Sequence, residues 1–444
     1  MHRDEIPVEV FDDRVHSRFF RAWRQSTFET KKRVFQLVNE FFATVSRRLL
    51  FKVFSWAGAL RTILRQIWRF RSMAGMNSTS TSRRRFLKTT ALAAASAPWI
   101  TRFASEARGD EGGRKLGFAL CGLGGLSTNQ IAPALAKTKN CRLAGIVTGH
   151  PAKAEKWKAQ YSIPDKNIYN YENMETMADN PDIDVVYVVT PNGLHAEHTI
   201  KAAKAGKHVL CEKPMEVSVE KCQQMIDACK AANRMLAIGY RSRFDPHTQE
   251  CIRLAREKVF GETRIIQAGF GFRIGDPNQW RLKADLAGGG ALMDVGIYAL
   301  QATRYLSGEE PTIVTALETK TDPVKFKEVD ESITWQMKFP SGIIANCSTT
   351  YIVGGIDFYT AYAERGSFGL HPAYDYEGNR GTRSDGQAIE YPEMDQFAAE
   401  MDDFAQCIRE NKASIVSGEE GLRDIRITTA IYESIRTGKA VGLA

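Results

Sequence analysis

Short apolar segments alternate with longer amphipathic segments between residues 115 and 240, and polar or glycine-containing turns separate them. Short β-branched apolar segments are typical of strands buried in a parallel sheet, whereas amphipathic segments with a period of about 3.6 residues are typical of helices. We predict strands at 115–121, 142–147, 185–189 and 208–211, with helices at 129–136, 196–205 and 219–233. This order predicts an α/β domain over residues 108–240, built on a doubly wound parallel sheet.

After residue 240 the pattern changes to an alternation of apolar and polar positions, which predicts strands with one buried face. The alternating segments are 263–272, 312–319, 332–339, 342–351 and 358–366. We expect no helical connections between these strands, and we predict that helices return at 395–411 and 419–437. The pattern therefore predicts a second, α+β domain over residues 241–444.

The charge of the chain is unevenly distributed. Of the 444 residues, 43% are hydrophobic and 25% are charged, which is ordinary for a globular protein. The formal net charge is +8, but residues 1–107 carry 20 Lys and Arg against 8 Asp and Glu, a net charge of +12. Residues 108–444 therefore carry a net charge of −4. A mildly acidic folded part gives no electrostatic support for binding nucleic acid.

The basic segment at 82–88 reads Ser-Arg-Arg-Arg-Phe-Leu-Lys and is followed by an apolar run at 89–100 and by Ser-Glu-Ala at 105–107. The apolar run is too short for a membrane-spanning helix but suits a signal peptide. These residues resemble a twin-arginine export signal. The resemblance implies a signal peptide over 76–107, recognition by the twin-arginine translocase and a periplasmic protein. The alternative is a basic linker before a buried helix.

An export signal ordinarily stands at the start of a chain, but here residues 1–75 come before the predicted signal. Met76 offers a better start, so we expect residues 1–75 to be a non-native or disordered extension. The alternative is a membrane-surface helix, because residues 35–70 mix apolar and basic side chains.

All eight cysteines lie after the predicted signal. Twin-arginine substrates fold in the reducing cytoplasm before export, so we expect free thiols rather than disulfides. Cys222 and Cys229 share a helix face, but no histidine or second cysteine pair joins them at a spacing typical of zinc ligands. We therefore predict no metal site.

A glycine-rich turn follows the first predicted strand and precedes the first predicted helix. It comprises Gly122, Leu123, Gly124, Gly125, Leu126 and Ser127. Gly122 permits a tight turn, Gly124 lets the backbone approach a pyrophosphate, and the following helix offers amide donors. Ser127 replaces the third glycine of the usual pattern. We predict a Rossmann-type dinucleotide site whose contacts include residues 122–126.

The second strand ends in Thr148-Gly149 rather than in the Asp or Glu that binds the ribose hydroxyls of NAD. Without that carboxylate nothing repels a 2′-phosphate, and Lys153 and Lys156 follow within the next helical turn. The sequence favours NADP, with NAD possible. The alternative for the lysines is a solvated helix face.

Ligands of a doubly wound sheet bind beyond the carboxyl ends of its strands. Two segments stand at such ends and are predicted to line the cofactor crevice. They comprise Thr190, Pro191 and Asn192, and Glu212, Lys213 and Pro214.

Together with the glycine turn, these segments resemble the family of glucose-fructose oxidoreductase, inositol dehydrogenase and their relatives. The resemblance covers nearly all of residues 115–440 and includes 194–197, 205–209, 211–214, 279–282, 288–298 and 418–421. It implies an open, mainly antiparallel sheet in the second domain, one face of which covers the cofactor while the other joins subunits of a homo-oligomer. It also implies that His195, Trp280 and Arg281 line the cofactor cleft, although a core or surface position suits the last two nearly as well.

The resemblance further implies three catalytic residues, which are Lys213, Asp294 and Tyr298. Lys213 would hydrogen-bond the reacting oxygen, and Tyr298, where many relatives have histidine, would accept the proton after activation by Lys213. Asp294 lies four residues before Tyr298 and would orient the sugar or the base. The alternatives are a surface lysine, a packing aromatic and a helix-capping carboxylate, respectively.

We therefore expect an exported, NADP-dependent sugar oxidoreductase that oxidises an aldose at C1 to the lactone and passes the hydride through bound NADP(H) to a second sugar. One alternative is an ordinary NAD(P)-dependent aldose or polyol dehydrogenase with an exchangeable cofactor. The proline-rich arm that crosses the cofactor in the sugar-to-sugar enzymes has no counterpart in residues 108–115. A second alternative is a non-catalytic NADP-binding sensor or scaffold.

Overall fold

The computed structural model describes residues 113–443. The predicted extension at 1–75 and the predicted signal at 76–107 lie outside the described residues. Among residues 113–443, no helix is both long enough and apolar enough to cross a membrane.

Six parallel strands form the first sheet, in the order β3-β2-β1-β4-β5-β6. They are β1 (Leu116–Cys121), β2 (Cys141–Val147), β3 (Ile168–Tyr169), β4 (Val185–Val188), β5 (His208–Glu212) and β6 (Leu236–Gly239). The side chains of β4 are buried along its whole length, as its continuous apolar sequence requires. The strand order reverses between β1 and β4, and this reversal opens a crevice at their carboxyl ends. The predicted doubly wound parallel sheet is confirmed.

Four helices connect these strands. They are α1 (Ala132–Lys137), α2 (Pro151–Tyr161), α3 (His195–Lys204) and α4 (Val219–Ala231). A π-helical turn at Ser127–Ile131 leads into α1. The start of α4 is fixed by Ser218, whose side chain accepts a hydrogen bond from the Lys221 amide.

Nine strands form the second sheet, in the order β14-β13-β12-β11-β7-β10-β9-β8-β15. They are β7 (Thr263–Gly271), β8 (Ile313–Thr319), β9 (Ser332–Lys338), β10 (Ile344–Thr350), β11 (Ile356–Ala363), β12 (Gly366–Leu370), β13 (Gly381–Arg383), β14 (Ala388–Ile389) and β15 (Val441–Gly442). Neighbouring strands are antiparallel except β7 and β10, which are parallel. The mainly antiparallel sheet is confirmed.

The expectation of direct connections between the strands of this sheet was wrong. Between β7 and β8 lie α6 (Ala284–Ala287), a π-helical turn at Leu292–Gly296 and α7 (Ile297–Ser307), and α5 (Pro246–Arg256) precedes β7. Nearly every residue of α7 is buried. A helix covered on all sides lacks a polar stripe, so the alternation of apolar and polar residues does not reveal it.

The last two helices, α8 (Gln396–Glu410) and α9 (Gly418–Thr437), return to the first sheet. Just before α9, the Val416 carbonyl accepts a hydrogen bond of 2.7 Å from the Ile238 amide on β6. Gly421 of α9 lies so close to β6 that a Cβ there would be 2.9 Å from the Ile238 side chain. The sequence after residue 241 therefore also supplies packing to the first sheet.

Candidate active site

The glycine turn has a closed side and an open side. Gly122 has a φ of +98°, and a Cβ there would lie 2.8 Å from the Val189 carbonyl oxygen, so this position requires glycine. Gly124 and Gly125 are exposed, and a Cβ on Gly124 would meet no atom within 4 Å. The open side therefore leaves backbone accessible to a ligand such as a pyrophosphate, and the turn fits a dinucleotide.

Ser127 closes the turn. Its buried hydroxyl donates a hydrogen bond of 2.6 Å to the Gly122 carbonyl oxygen. The departure from the usual third glycine thus provides a hydrogen bond between the last and first residues of the turn.

Residues after β2 also reach this turn. Lys153 Nζ donates a hydrogen bond of 3.2 Å to the Leu123 carbonyl oxygen, so this exposed side chain extends from α2 to the glycine turn. Thr148 is buried, and its hydroxyl accepts a hydrogen bond of 3.2 Å from the His150 amide. Gly149 lies against the Tyr171 ring, 3.2 Å from where its Cβ would be.

The segment after β4 is held mainly by protein contacts. His195 is completely buried, and its ring nitrogens lie 2.8 Å from the Thr190 carbonyl oxygen and 3.0 Å from the Pro214 carbonyl oxygen. Burial lowers the pKa of His195. The Asn192 amide donates to the Ala287 carbonyl oxygen at 2.8 Å. Both side chains join neighbouring loops, and direct contact of either with a cofactor stays a prediction.

Lys213 lies against the predicted catalytic residues of the second domain. Its Nζ donates a hydrogen bond of 2.6 Å to the Asp294 carbonyl oxygen and lies 4.9 Å from the centre of the Tyr298 ring. Burial opposes the charge of this lysine, but the negative charges that Tyr298 and Asp294 can carry outweigh it and raise the pKa of Lys213. The surface-lysine alternative is excluded, since the side chain is only 13% exposed.

Asp294 is a carboxylate that is 15% exposed and has several hydrogen-bond donors around it. Its Oδ2 lies 3.1 Å from Arg281 Nε and 2.9 Å from the Tyr351 hydroxyl. Burial favours the neutral acid, but the charges of Arg281 and Lys213 prevail and lower the pKa of Asp294. The capping role that we considered for Asp294 belongs instead to Asp330, whose carboxylate accepts from the amides at 290 and 292 at 2.6 and 2.9 Å.

Tyr298 lies at the start of α7, just after the π-helical turn that contains Asp294. Such turns often mark functional sites, because the extra residue changes the direction of the side chains that follow. The Tyr298 ring packs against Phe270 and Tyr374, with centroid separations of 5.5 and 5.7 Å. Tyr298 therefore packs in the core, as expected of a packing aromatic, and its ring also faces Lys213.

Arg241 was missed by our sequence analysis. It is 4% exposed, and its guanidinium carbon lies 5.1 Å from the Tyr298 ring centre and 4.4 Å from that of Tyr376. The Gln396 side-chain oxygen on α8 accepts a hydrogen bond of 2.6 Å from it. Arg241 follows β6, so the rule for strand ends would have identified it had β6 been predicted.

Arg281, which follows Trp280, contacts one of the predicted catalytic residues. The Arg281 guanidinium carbon lies 4.5 Å from the Trp280 ring centre, and Arg281 pairs with Asp294. Arg281 therefore holds the Asp294 carboxylate, while contact of Arg281 or Trp280 with a cofactor stays a prediction.

All eight cysteines are buried free thiols. Among residues 113–443, no three His, Cys, Asp or Glu side chains are grouped as ligands of a metal ion.

Both family models and an individual relative support the family resemblance of this chain. The model of an oxidoreductase family with an NAD-binding Rossmann fold matches residues 116–240, and the model of its C-terminal alpha/beta domain matches residues 254–443. The D-xylose 1-dehydrogenase [NADP(+)] of Haloarcula marismortui is 30% identical over 335 residues, which cover 73% of this chain and 92% of that protein.

Two solved structures are similar to this chain. The aldose-aldose oxidoreductase from Caulobacter crescentus, crystallised with glycerol, shares 45% identity at a TM-score of 0.72, covering 74% of this chain and all of that chain. A levoglucosan dehydrogenase in complex with NADH and levoglucosan has the same fold, with a TM-score of 0.64 at 23% identity, covering 74% of this chain and 99% of that one. The chain belongs to the NAD(P)-dependent oxidoreductase family of glucose-fructose oxidoreductase and inositol dehydrogenase.

Proposed function

We propose that this protein is an exported, NADP-dependent sugar oxidoreductase that oxidises an aldose at C1 to the lactone and reduces a second sugar. The observation that carries the proposal is the contact of Lys213 with both Asp294 and Tyr298, at the carboxyl end of β5. The 45% identity to an aldose-aldose oxidoreductase, over the whole of that chain, supports aldoses as substrates and transfer between two sugars.

The roles of the side chains follow from their charges and positions. Lys213 donates a hydrogen bond to the reacting oxygen at C1, and Tyr298 accepts the proton of that hydroxyl. The cationic groups of Lys213 and Arg241 lie 4.9 and 5.1 Å from the centre of the Tyr298 ring, next to the group that takes the proton. Asp294, held by Arg281 and Tyr351, accepts a hydrogen bond from a further sugar hydroxyl. NADP, held by the glycine turn and Lys153, supplies a hydride acceptor when bound.

The preference for NADP is supported by Lys153, which reaches the glycine turn, and by the absence of a carboxylate at 148–150. A relative with 30% identity is named for its use of NADP(+). That same relative favours the second candidate, an ordinary aldose dehydrogenase that exchanges its cofactor. The assembly of Lys213, Asp294 and Tyr298 disfavours a non-catalytic sensor, which has no need of proton-transfer groups.

The face of the second sheet that points away from α7 exposes large apolar side chains, among them Ile265, Leu317, Ile344 and Tyr362. An exposed apolar sheet face of this kind supports a homo-oligomer that forms through it.

The segment at 82–88 supports export to the periplasm by the twin-arginine translocase.

Cofactor retention distinguishes the two enzymatic candidates. Freshly purified protein is denatured without prior treatment, and the released nucleotide is identified by mass spectrometry. We expect about one NADP(H) per chain, which supports sugar-to-sugar transfer. Protein that releases no nucleotide, yet oxidises aldoses when NADP is added, is instead an ordinary dehydrogenase.

A further inference from the structure

Glu212, Tyr187 and Glu400 form a buried hydrogen-bonded group, which we call the carboxyl triad. The Tyr187 hydroxyl oxygen lies 2.8 Å from Glu212 Oε1 and 2.7 Å from Glu400 Oε1. The three residues are 0–6% exposed. Glycine at 239 on β6 leaves room for them, since a Cβ there would lie 3.0 Å from Glu212 Oε1.

The two short contacts of Tyr187 require two protons. A phenol has one proton, and an ionised carboxylate only accepts hydrogen bonds. If both glutamates were ionised, one of the contacts would bring two oxygen lone pairs together in a buried place. One carboxyl group must therefore be protonated and donate to the Tyr187 oxygen, while Tyr187 donates to the other carboxylate.

The surroundings differ between the two glutamates. Glu212 Oε2 accepts a hydrogen bond of 3.2 Å from the Lys213 amide, and the charges of Lys213 and Arg241 act on this carboxylate. Burial raises the pKa of Glu212, but these charges and the hydrogen bond from Tyr187 oppose that rise.

Glu400 has no comparable support. Its Oε2 is buried and has no hydrogen-bond partner among the described residues. The charged groups that face it are Glu212, Arg241 and Asp395, and two of these are anions. Burial first, and the charge of Glu212 second, raise the pKa of Glu400 well above its usual range. The proton of the triad therefore belongs on Glu400.

We propose that Glu400 is a positioning residue that stays protonated at neutral pH, directs the Tyr187 hydroxyl towards Glu212, and so leaves Glu212 as the single anion of the triad. Glu212 then balances Lys213 and Arg241, the two cations beside the Tyr298 ring. The catalytic consequence rests on the proposed function, whereas the protonation of Glu400 does not.

Infrared spectroscopy tests the protonation directly. The full-length protein is prepared with glutamate labelled with carbon-13 in its side-chain carboxyl group, which separates glutamate bands from those of aspartate. We expect the carbonyl band of a protonated glutamate at neutral pH, lost in Glu400→Gln and retained in Glu331→Gln. Glu331 is a matched control, because it is buried and, among residues 113–443, its carboxylate accepts hydrogen bonds from the amides of residues 321 and 322 and from the Thr321 hydroxyl. Absence of a protonated glutamate band in the labelled wild-type protein overturns the proposal, as does a band that survives in Glu400→Gln.

Sugar oxidation tests the positioning role. Glu212→Gln removes the anion, whereas the amide in Glu400→Gln still donates to Tyr187. We expect kcat/KM to fall about tenfold further in Glu212→Gln than in Glu400→Gln. Equal losses in the two variants overturn the positioning role. If the wild-type protein oxidises no sugar, the proposed function fails, and the infrared result still decides whether Glu400 is protonated.

Discussion

Lys213 donates its shorter hydrogen bond, of 2.6 Å, to the main-chain carbonyl oxygen of Asp294, and the carboxylate oxygen Oδ1 of Asp294 lies farther away, at 3.4 Å. The ammonium group is therefore placed by the backbone of the π-helical turn and only secondarily by the carboxylate. Position and charge at this site can accordingly be changed separately, because Asp294→Asn removes the charge and keeps the main-chain carbonyl oxygen.

Replacement of Lys213 by methionine should lower kcat for aldose oxidation by about 10²- to 10⁴-fold, because the donor to the reacting oxygen is lost. Steady-state kinetics at saturating sugar and NADP measure the effect. Lys230→Met is the control, since Lys230 is an exposed lysine that pairs with Glu419 on the surface. A Lys213→Met enzyme with wild-type kcat contradicts the catalytic role.

Replacement of Tyr298 by phenylalanine should abolish most of kcat while the protein keeps its melting temperature, because the ring packing is preserved and only the hydroxyl is removed. A loss of at least about 10²-fold is the size expected for a missing proton acceptor. Tyr362→Phe is the matched control, because it removes a tyrosine hydroxyl on the exposed face of the second sheet. Full activity in Tyr298→Phe excludes the phenol as base.

Asp294→Asn should destabilise the protein by about 3 kcal/mol at neutral pH, because Arg281 and Lys213 keep their charges without the carboxylate between them. The pKa of Asp294 is lowered in the folded state, so its stabilising contribution is complete above the ordinary value of 3.8 and is lost as the pH falls below it. Urea denaturation of both proteins from pH 7 to pH 3 measures this. A difference that stays constant over the whole range contradicts the lowered pKa.

Lys153→Met should weaken NADP binding by about tenfold and leave NAD binding nearly unchanged, since only NADP carries the 2′-phosphate and a lost charged hydrogen bond costs about 1.5 kcal/mol or more. Titration of the nucleotide-free protein gives both dissociation constants. Lys158→Met is the matched control, because Lys158 lies on the same helix and pairs with Asp165 instead of extending to the glycine turn. Equal losses for both nucleotides would mean that Lys153 supports the turn rather than reading the phosphate.

Ser127→Ala should destabilise the protein by about 1 kcal/mol and weaken NADP binding, because the Gly122 carbonyl oxygen loses its buried donor. Thermal unfolding and nucleotide titration report the two effects. Thr437→Ala removes a similar hydroxyl-to-carbonyl hydrogen bond of 2.8 Å on the exposed end of α9 and should change neither. An unaltered affinity for NADP in Ser127→Ala would show that the turn keeps its shape without this hydrogen bond.

The sequence by itself determined the elements whose signal is local. The glycine turn, the strand ends at Thr190 and Glu212 and the apolar runs before them are read within a few residues, because strand and helix periods are properties of neighbouring positions. Strands β3, β6, β13, β14 and β15 were missed, since each has four residues or fewer and carries little periodic signal. The missing β6 also concealed Arg241.

Only the tertiary structure decided which distant residues share a site. Lys213 and Asp294 are 81 residues apart, and Tyr187 and Glu400 are 213 apart, yet each pair lies within hydrogen-bond distance. Asp330 and Gly290 are likewise distant in the sequence, yet the Asp330 carboxylate accepts a hydrogen bond from the Gly290 amide and so has the capping role considered for Asp294. The pattern of neighbouring residues does not reveal such pairs, because they form only when α7 packs against the second sheet and α8 packs against the first sheet. Burial in those contacts then sets which carboxyl groups are charged, and this balance of desolvation and neighbouring charge exists only in the folded protein.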